Sequence, residues 1–299
     1  MFKQILSSFS IVALLCVMLG CADKEEAAPD PSSFDCLLLR EQIAFATPGE
    51  SLTRDYHFEG GFLNRVTDVY VGQRPSSTTT WFDYGAAGQI ASTSLTDAQG
   101  LPLEAHEFIY DQQGLVKQVY VHNRKQNPGS SVLQPYHTKE LTFNSKQQLV
   151  NLKVWTANTS PRMLLNDFAF TYDAKGNITQ MQEYRVLRYS QSNPEDFNDL
   201  VLKVTFTHDN KVNPYHENLY VMFLPNTTIL VPGLSTNNIV STTSVSTLEG
   251  TKKGPGANYD PSAYNNTRTN TYTYNEQGRP TTVTSSVGST RTFTYKCEK

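Results

Sequence analysis

Residues 168–178 read F-A-F-T-Y-D-A-K-G-N-I, and versions of that phrase return along most of the chain. Aromatic side chains fall at every second position (Phe168, Phe170, Tyr172), Asp173 and Gly176 bracket two turn residues, and Ile178 resumes the apolar pattern. Such alternation puts one face of a strand into a core, because successive side chains point to opposite faces. An Asp or Asn at the first turn position accepts hydrogen bonds from the turn backbone. The glycine supplies the left-handed conformation that a type I turn followed by a bulge requires. The phrase therefore encodes strand, tight turn, strand.

Phe82-x-Tyr84 leads through Gly85 and Gly88 to Ile90, Phe108-x-Tyr110 through Asp111 and Gly114 to Val116, and Tyr272-x-Tyr274 through Asn275 and Gly278 to Pro280. Leu141-x-Phe143 leads through Asn144 to Leu149 with Gln147 at the glycine position, so that either Gln147 adopts a strained left-handed backbone or the turn there differs. Tyr56-x-Phe58 with Gly60-Gly61 is a shortened copy. In each full copy the last aromatic and the next apolar residue lie six positions apart. The intervals between copies are uneven, which excludes a solenoid of fixed period. Hairpins in succession make an antiparallel meander, and a long sheet accumulates twist until it must curl or close. The expected fold is all-β: one domain over residues 34–299, a long meander of hairpins forming a strongly curved sheet or open barrel. Residues 34–45, apolar except for Arg40-Glu41-Gln42, suit a first strand or a short helix.

The phrase breaks at Val204-x-Phe206-x-His208-Asp209, where the glycine is lost and Pro214 forbids a regular ladder bond. An excursion is expected from there, with a short helix within residues 218–239. Residues 241–270 are rich in Ser, Thr, Asn and Gly, and Lys252-Lys253-Gly254-Pro255-Gly256 reads as a hairpin tip.

At the N-terminus Lys3 precedes an apolar run at residues 11–19, the pattern of a secretion signal over residues 1–20. The run is shorter than the roughly 20 residues a membrane-spanning helix needs. Residues 22–31 are polar, Pro- and Ala-containing and without a packing pattern, which suits a flexible tether over residues 21–33. The formal net charge is −3 and becomes one unit more negative when Lys3 leaves, so there is no basic footprint for nucleic acid. Two of the four cysteines, Cys36 and Cys297, stand at opposite ends of the folded part. In an oxidising compartment they form either a disulfide or two separate buried thiols; there is no C-x-x-C and no nearby third ligand for a metal.

Met18-Leu19-Gly20-Cys21 resembles a bacterial lipobox, although Met18 departs from the usual branched aliphatic; the alternative is an ordinary cleaved leader. The resemblance implies a lipid on Cys21 and a protein tethered to a membrane through it. Lys24-Glu25-Glu26 resembles the surface-export signal of Bacteroidota lipoproteins, which implies the outer face of the outer membrane; read as a solvated charge run it leaves the periplasmic face open. Tyr110-Asp111-x-x-Gly114 and Tyr172-Asp173-x-x-Gly176-Asn177-Ile178 resemble the YD repeats of RHS-type wrap-around β proteins, with Gly85, Asn144 and Asn275 departing from the aspartate. The leader ending in Cys21, the phrases at 207–214 and 274–280 and the terminal Tyr295-x-Cys297 resemble YD-like lipoproteins of Bacteroidota without an assigned activity. That resemblance implies an extended curved sheet in the envelope and supplies no catalytic residues.

Motifs for a serine nucleophile, a zinc protease, a phosphate-binding loop or a dithiol site do not occur, and no cofactor or metal is expected. His208 and His216 with Asp209 and Glu217 form the one modest titratable cluster, a metal or acid/base pair if a loop folds back and otherwise ordinary core and turn residues. Glu195, Asp196 and Asp199 offer the carboxylates that glycoside hydrolysis needs, or simply a solvated loop. Trp81 and Trp155 fall beside the core-facing register, so each either faces outward to stack on a sugar or a partner or packs between hairpins. The leading expectation is a non-catalytic, lipid-anchored binding or scaffolding protein for a glycan or an envelope protein. The alternative is a glycan-acting hydrolase with its site around residues 190–220.

Overall fold

A computed structural model describes residues 36–124, 132–160, 162–186, 198–216, 231–246 and 265–297. The described residues form sixteen strands. The first eight are β1 (Cys36–Ala44), β2 (Ser51–Glu59), β3 (Phe62–Val71), β4 (Ser76–Tyr84), β5 (Ile90–Asp97), β6 (Pro102–Tyr110), β7 (Val116–Asn123) and β8 (Gln134–Phe143). The rest are β9 (Leu149–Thr156), β10 (Leu164–Tyr172), β11 (Ile178–Val186), β12 (Asn198–Val212), β13 (Asn237–Ser246), β14 (Asn266–Tyr274), β15 (Pro280–Ser285) and β16 (Thr290–Cys297). Every strand pairs antiparallel with its sequence neighbours, and β1 pairs with β16, so the meander closes into a barrel. The curl expected from the repeats thus runs to completion and leaves no edge strand. Residues 36–44 are a strand rather than a helix.

The turns follow the chemistry of the phrase. Asp173 Oδ1 accepts backbone N–H bonds from Lys175 and Asn177, both 2.9 Å, and Gly176 has φ 85°. Asp111 does the same for Gln113 and Leu115, and Asn144 for Lys146 and Gln148. One register shift accompanies each such turn, at Tyr84, Tyr110, Phe143, Tyr172 and Tyr274. Gln147 takes the strained alternative: at φ 60° it is the one non-glycine residue with positive φ among the described residues. Gln147→Gly is therefore expected to raise stability by about 0.5–1 kcal/mol, the relieved strain less the added unfolded-state entropy. Gly176→Val should lower it, because a Cβ there would lie 2.8 Å from Thr236 Oγ1. Denaturant melts of the two variants should move in opposite directions; a destabilised Gln147→Gly would contradict the turn assignment.

The tyrosines do more than fill a core. Tyr84 donates to the Leu63 carbonyl (2.9 Å), Tyr110 to Ile90 (2.7 Å), Tyr172 to Leu149 (2.8 Å) and Tyr295 to Pro280 (2.8 Å). Each acceptor lies two residues beyond the last ladder pair between neighbouring hairpins, such as Arg65↔Trp81 or Ala169↔Asn151. The hairpins splay toward their turns, and the hydroxyl satisfies the next carbonyl that the ladder no longer reaches. Burial pushes Tyr172 above its ordinary value, so it stays a donor.

Two apolar clusters fill the interior. One gathers Leu38, Tyr56, Leu63, Val66, Phe82, Phe108, Val119 and Phe293, among others; the second gathers Leu149, Leu152, Phe168, Phe170, Ile178, Met181, Phe206 and Ile239, among others. The outer face is polar on β12, β14 and β16, where Thr205, Thr207, Thr269, Thr271, Thr273, Thr292, Thr294 and Lys296 are exposed, and threonines pair across strands at Thr171–Thr179, Thr243–Thr267 and Thr273–Thr281; Val69, Trp81, Ile109, Tyr120 and Val245 are exposed on other strands. A bilayer-spanning barrel carries an apolar band outside and a polar lumen. In this barrel the apolar clusters lie inside.

Where the phrase breaks, β12 runs on to Val212 and residues Asn213 to His216 turn over the barrel. After residues 217–230 a 3₁₀ turn, Val231–Leu234, brings the chain back. That return docks on the first-described phrase. Asn177 donates to Asn237 Oδ1 (3.0 Å) and accepts from the Asn237 N–H (2.8 Å), while Ile178 N–H donates to Ser235 Oγ (3.2 Å).

Candidate functional site

Strands β12 to β16 and β1 do not close fully over their apolar face. They leave a cavity of about 330 Å³, with the Asn213 turn, the 3₁₀ turn and residues Val287 and Ser289 on its walls. Phe206, Tyr215, Tyr272 and Phe293 supply aromatic surface, Asn238, Asn270, Thr242 and Ser285 supply amides and hydroxyls, and Arg268 and Arg291 supply cations. The volume sits at the small end of the ~300–1,000 Å³ usual for small-molecule sites.

Arg291 is held by a buried network. Glu41, 2% exposed, receives Arg291 Nε at 2.9 Å and the Tyr215 hydroxyl at 2.8 Å on Oε1, and the Tyr56 hydroxyl at 3.3 Å on Oε2. Arg291 Nη1 also donates to the Tyr215 hydroxyl at 2.6 Å. Across β2, Arg54 forks onto Asp68 with two bonds of 2.7 Å. Asp68, Arg54, Glu41 and Arg291 thus alternate in sign on four successive strands, as the register pairs Arg54 with both Asp68 and Glu41. Burial pushes the Tyr215 and Tyr56 hydroxyls well above their ordinary range and Glu41 reinforces the shift, so both remain neutral donors. Burial pushes Tyr272 up to about 12. Burial alone would lower Arg291, but Tyr215 and Glu41 outweigh it and its pKa is raised. These are groups that hold and orient: the tyrosines are poor bases, and the Glu41 carboxylate is occupied by donors.

The residues singled out in the sequence lie elsewhere or do other work. Cys36 and Cys297 are bonded to each other and face each other directly across the β1–β16 seam. Trp81 lies on the outer face, 39% exposed, with the Arg65 guanidinium 5.4 Å from its ring centre. Trp155 donates Nε1 to Glu140 (2.9 Å) and carries Arg162 over its ring at 4.9 Å. Neither lines the cavity. His208 Nε2 lies 3.1 Å from Ser235 Oγ, and burial lowers its pKa against the opposing pull of Asp173 and Asp209. Asp209 accepts the Lys211 N–H as Asp173 accepts that of Lys175, and also takes bonds from the Tyr274 hydroxyl and from Asn238. His216 ends the Asn213 turn through its N–H. Among the described residues no three His, Cys, Asp or Glu are arranged to hold a metal. Asp199 sits on β12 opposite Arg185, whereas Cys21, the 24–26 charge run, Glu195, Asp196, Glu217 and the 252–256 tip lie outside the described residues. Glu41, Tyr215 and Arg291 are not among the residues the sequence singles out as a site. The available signal was Glu41 itself, two residues before Ile43 and on the same face, a charge inside an apolar strand.

Among the described residues the fold is a closed sixteen-stranded barrel with an apolar interior and a cavity beside β12 to β16 and β1. It is similar to a porin-like protein from Bacteroides uniformis, at 13% identity over 87% of this chain and 98% of that one, with a TM-score of 0.50. A porin-like protein from Bacteroides vulgatus aligns over the same shares at 7% identity and a TM-score of 0.37. A DUF3836 family protein from Bacteroides vulgatus aligns over 33% of this chain and 90% of its own at 13% identity, with a TM-score of 0.25. At these identities the first likeness concerns the fold alone. No family model and no curated protein sequence matches the chain.

Proposed function

We propose that this chain is a non-catalytic binding protein of the cell envelope, anchored by a lipid on Cys21, whose barrel takes a small saccharide in the cavity between β12 and β1. The observation that carries the reading is the lining: aromatic surface beside side-chain amides, hydroxyls and guanidinium groups, the mixture that stacks on a sugar ring and hydrogen-bonds its hydroxyls. The lipobox and the polar segment after it support the anchor, with the 24–26 charge run favouring the cell surface.

Two measurements test the halves separately. Cys21→Ala should abolish incorporation of a labelled fatty acid and release the protein in soluble form; unchanged labelling refutes the anchor. For the cavity, the mature protein should give signals on a glycan array that Thr242→Trp, which fills the space, removes while the melting temperature holds. Array binding that survives Thr242→Trp moves the site off the cavity and back to surfaces such as that around Trp81.

A further inference from the structure

We infer, building on the saccharide reading, that the cavity is a site for a singly charged acid, a sugar ring bearing one carboxylate such as a uronate. The described lining contains two arginines and no aspartate or glutamate. The charged row behind it is balanced: Asp68 offsets Arg54, and Glu41 offsets Arg291. Arg268 is left over. It lies on β14, directly across from Thr242, and has no ion pair or hydrogen bond among the described residues. Asp209 stands behind the wall, its carboxylate taken up by donors from Asn238 and Tyr274, so the surplus among the described lining residues is a single positive charge, which matches one carboxylate better than a doubly charged phosphate.

The two guanidinium groups differ in kind. Arg268 supplies the uncompensated charge and a planar fork that fits both oxygens of a carboxylate. Arg291 is fixed through Nε and Nη1 by Glu41 and Tyr215, so the rest of its donor set is presented without a further loss of side-chain freedom. Burial raises the Tyr272 hydroxyl, which donates to the Ile239 carbonyl as a neutral group. It adds aromatic surface without repelling an anion.

The test uses the full mature protein in detergent, by calorimetry and saturation-transfer NMR. The matched probes are galacturonate against galactose, glucuronate against glucose, glucose 6-phosphate, and benzoate against benzyl alcohol. The expected result is binding of a uronate and not its neutral partner, weakened by salt, with Arg268→Gln reducing affinity by about tenfold to a hundredfold and Arg268→Lys recovering part of it. Arg268 is exposed and unpaired, so its variants should fold, which an unchanged melt verifies. Equal binding of acid and neutral sugars, indifferent to Arg268→Gln, overturns the acid inference and leaves the saccharide reading standing. Preference for the phosphate over both uronates also overturns it. Benzoate bound without any sugar upholds the charge and removes the saccharide. Failure of every acid to bind overturns the inference outright.

Discussion

Replacing Cys36 and Cys297 together by serine is expected to lower the unfolding free energy by up to about 5 kcal/mol, the chain-entropy figure for a cross-link closing a loop of this order. The two cysteines are 261 positions apart and form the first pair in the β1–β16 register. All other strand pairings join sequence neighbours, and each needs only a short or moderate loop to close. The seam alone must bring the two ends of the domain together, and the loop-closure entropy for that is the largest in the fold. Without the bond the seam retains seven of its eight paired positions, with a register shift between Leu38 and Arg40, together with the packing of Leu38 and Phe293 and the Glu41–Arg291 ion pair. The variant should therefore still close at moderate temperature. Guanidinium melts of the oxidised protein, the reduced protein and the double serine variant check this. The latter two should coincide, unfold at lower denaturant and show a steeper dependence, because the freed unfolded chain expands. A shift worth less than about 1 kcal/mol would mean that the unfolded chain keeps its ends together without the bond.

The hairpins were legible because their requirements are local. Asp173 and Gly176, or Asn144 with its awkward Gln147, state a turn within six residues, and the alternating aromatics state which face is buried. Closure was only half legible: accumulated twist forces a long meander to curl, but whether the last strand meets the first depends on strand count and stagger. Cys36 and Cys297 pointed to the seam without fixing it: an oxidising compartment favours a disulfide, and two separate buried thiols were the competing reading. The tyrosine ties were hidden because the acceptor, a carbonyl such as Leu149 O, lies 23 residues away and is freed only by the splay of two hairpins. The cavity was hidden for the same reason on a larger scale: Tyr215 reaches Glu41 across 174 residues of sequence. The break in the phrase supplies Asn213, Tyr215 and the 3₁₀ turn to the cavity wall. The charges it meets come from the ordinary strands β1, β14 and β16.

Glu41→Ala is expected to cost about 3 kcal/mol and to loosen the cavity at the same time. Removing one partner of a buried ion pair generally costs about 3–5 kcal/mol, because the other charge is left uncompensated. Here Arg291 is 34% exposed and solvent offsets part of the loss, which places the cost at the low end. Three donors lose their acceptor at once: Arg291 Nε and the hydroxyls of Tyr215 and Tyr56. Of these Tyr215 matters most for the site, because it belongs to the turn that walls the cavity and Glu41 ties that turn to β1. Glu41→Gln keeps an oxygen acceptor and nearly the same volume while removing the charge, so it should cost less than alanine. Arg291→Met in the Glu41→Gln background should then add less than it does alone, since the cation it removes has already lost its counter-charge. Denaturant melts of the two singles and the double measure that coupling. Additive losses would mean that Glu41 and Arg291 act independently and that the network does not hold the cavity wall. If the coupling is present, uronate affinity should fall in Glu41→Ala even though Glu41 does not line the cavity, because Arg291 and Tyr215 are no longer held where the lining needs them.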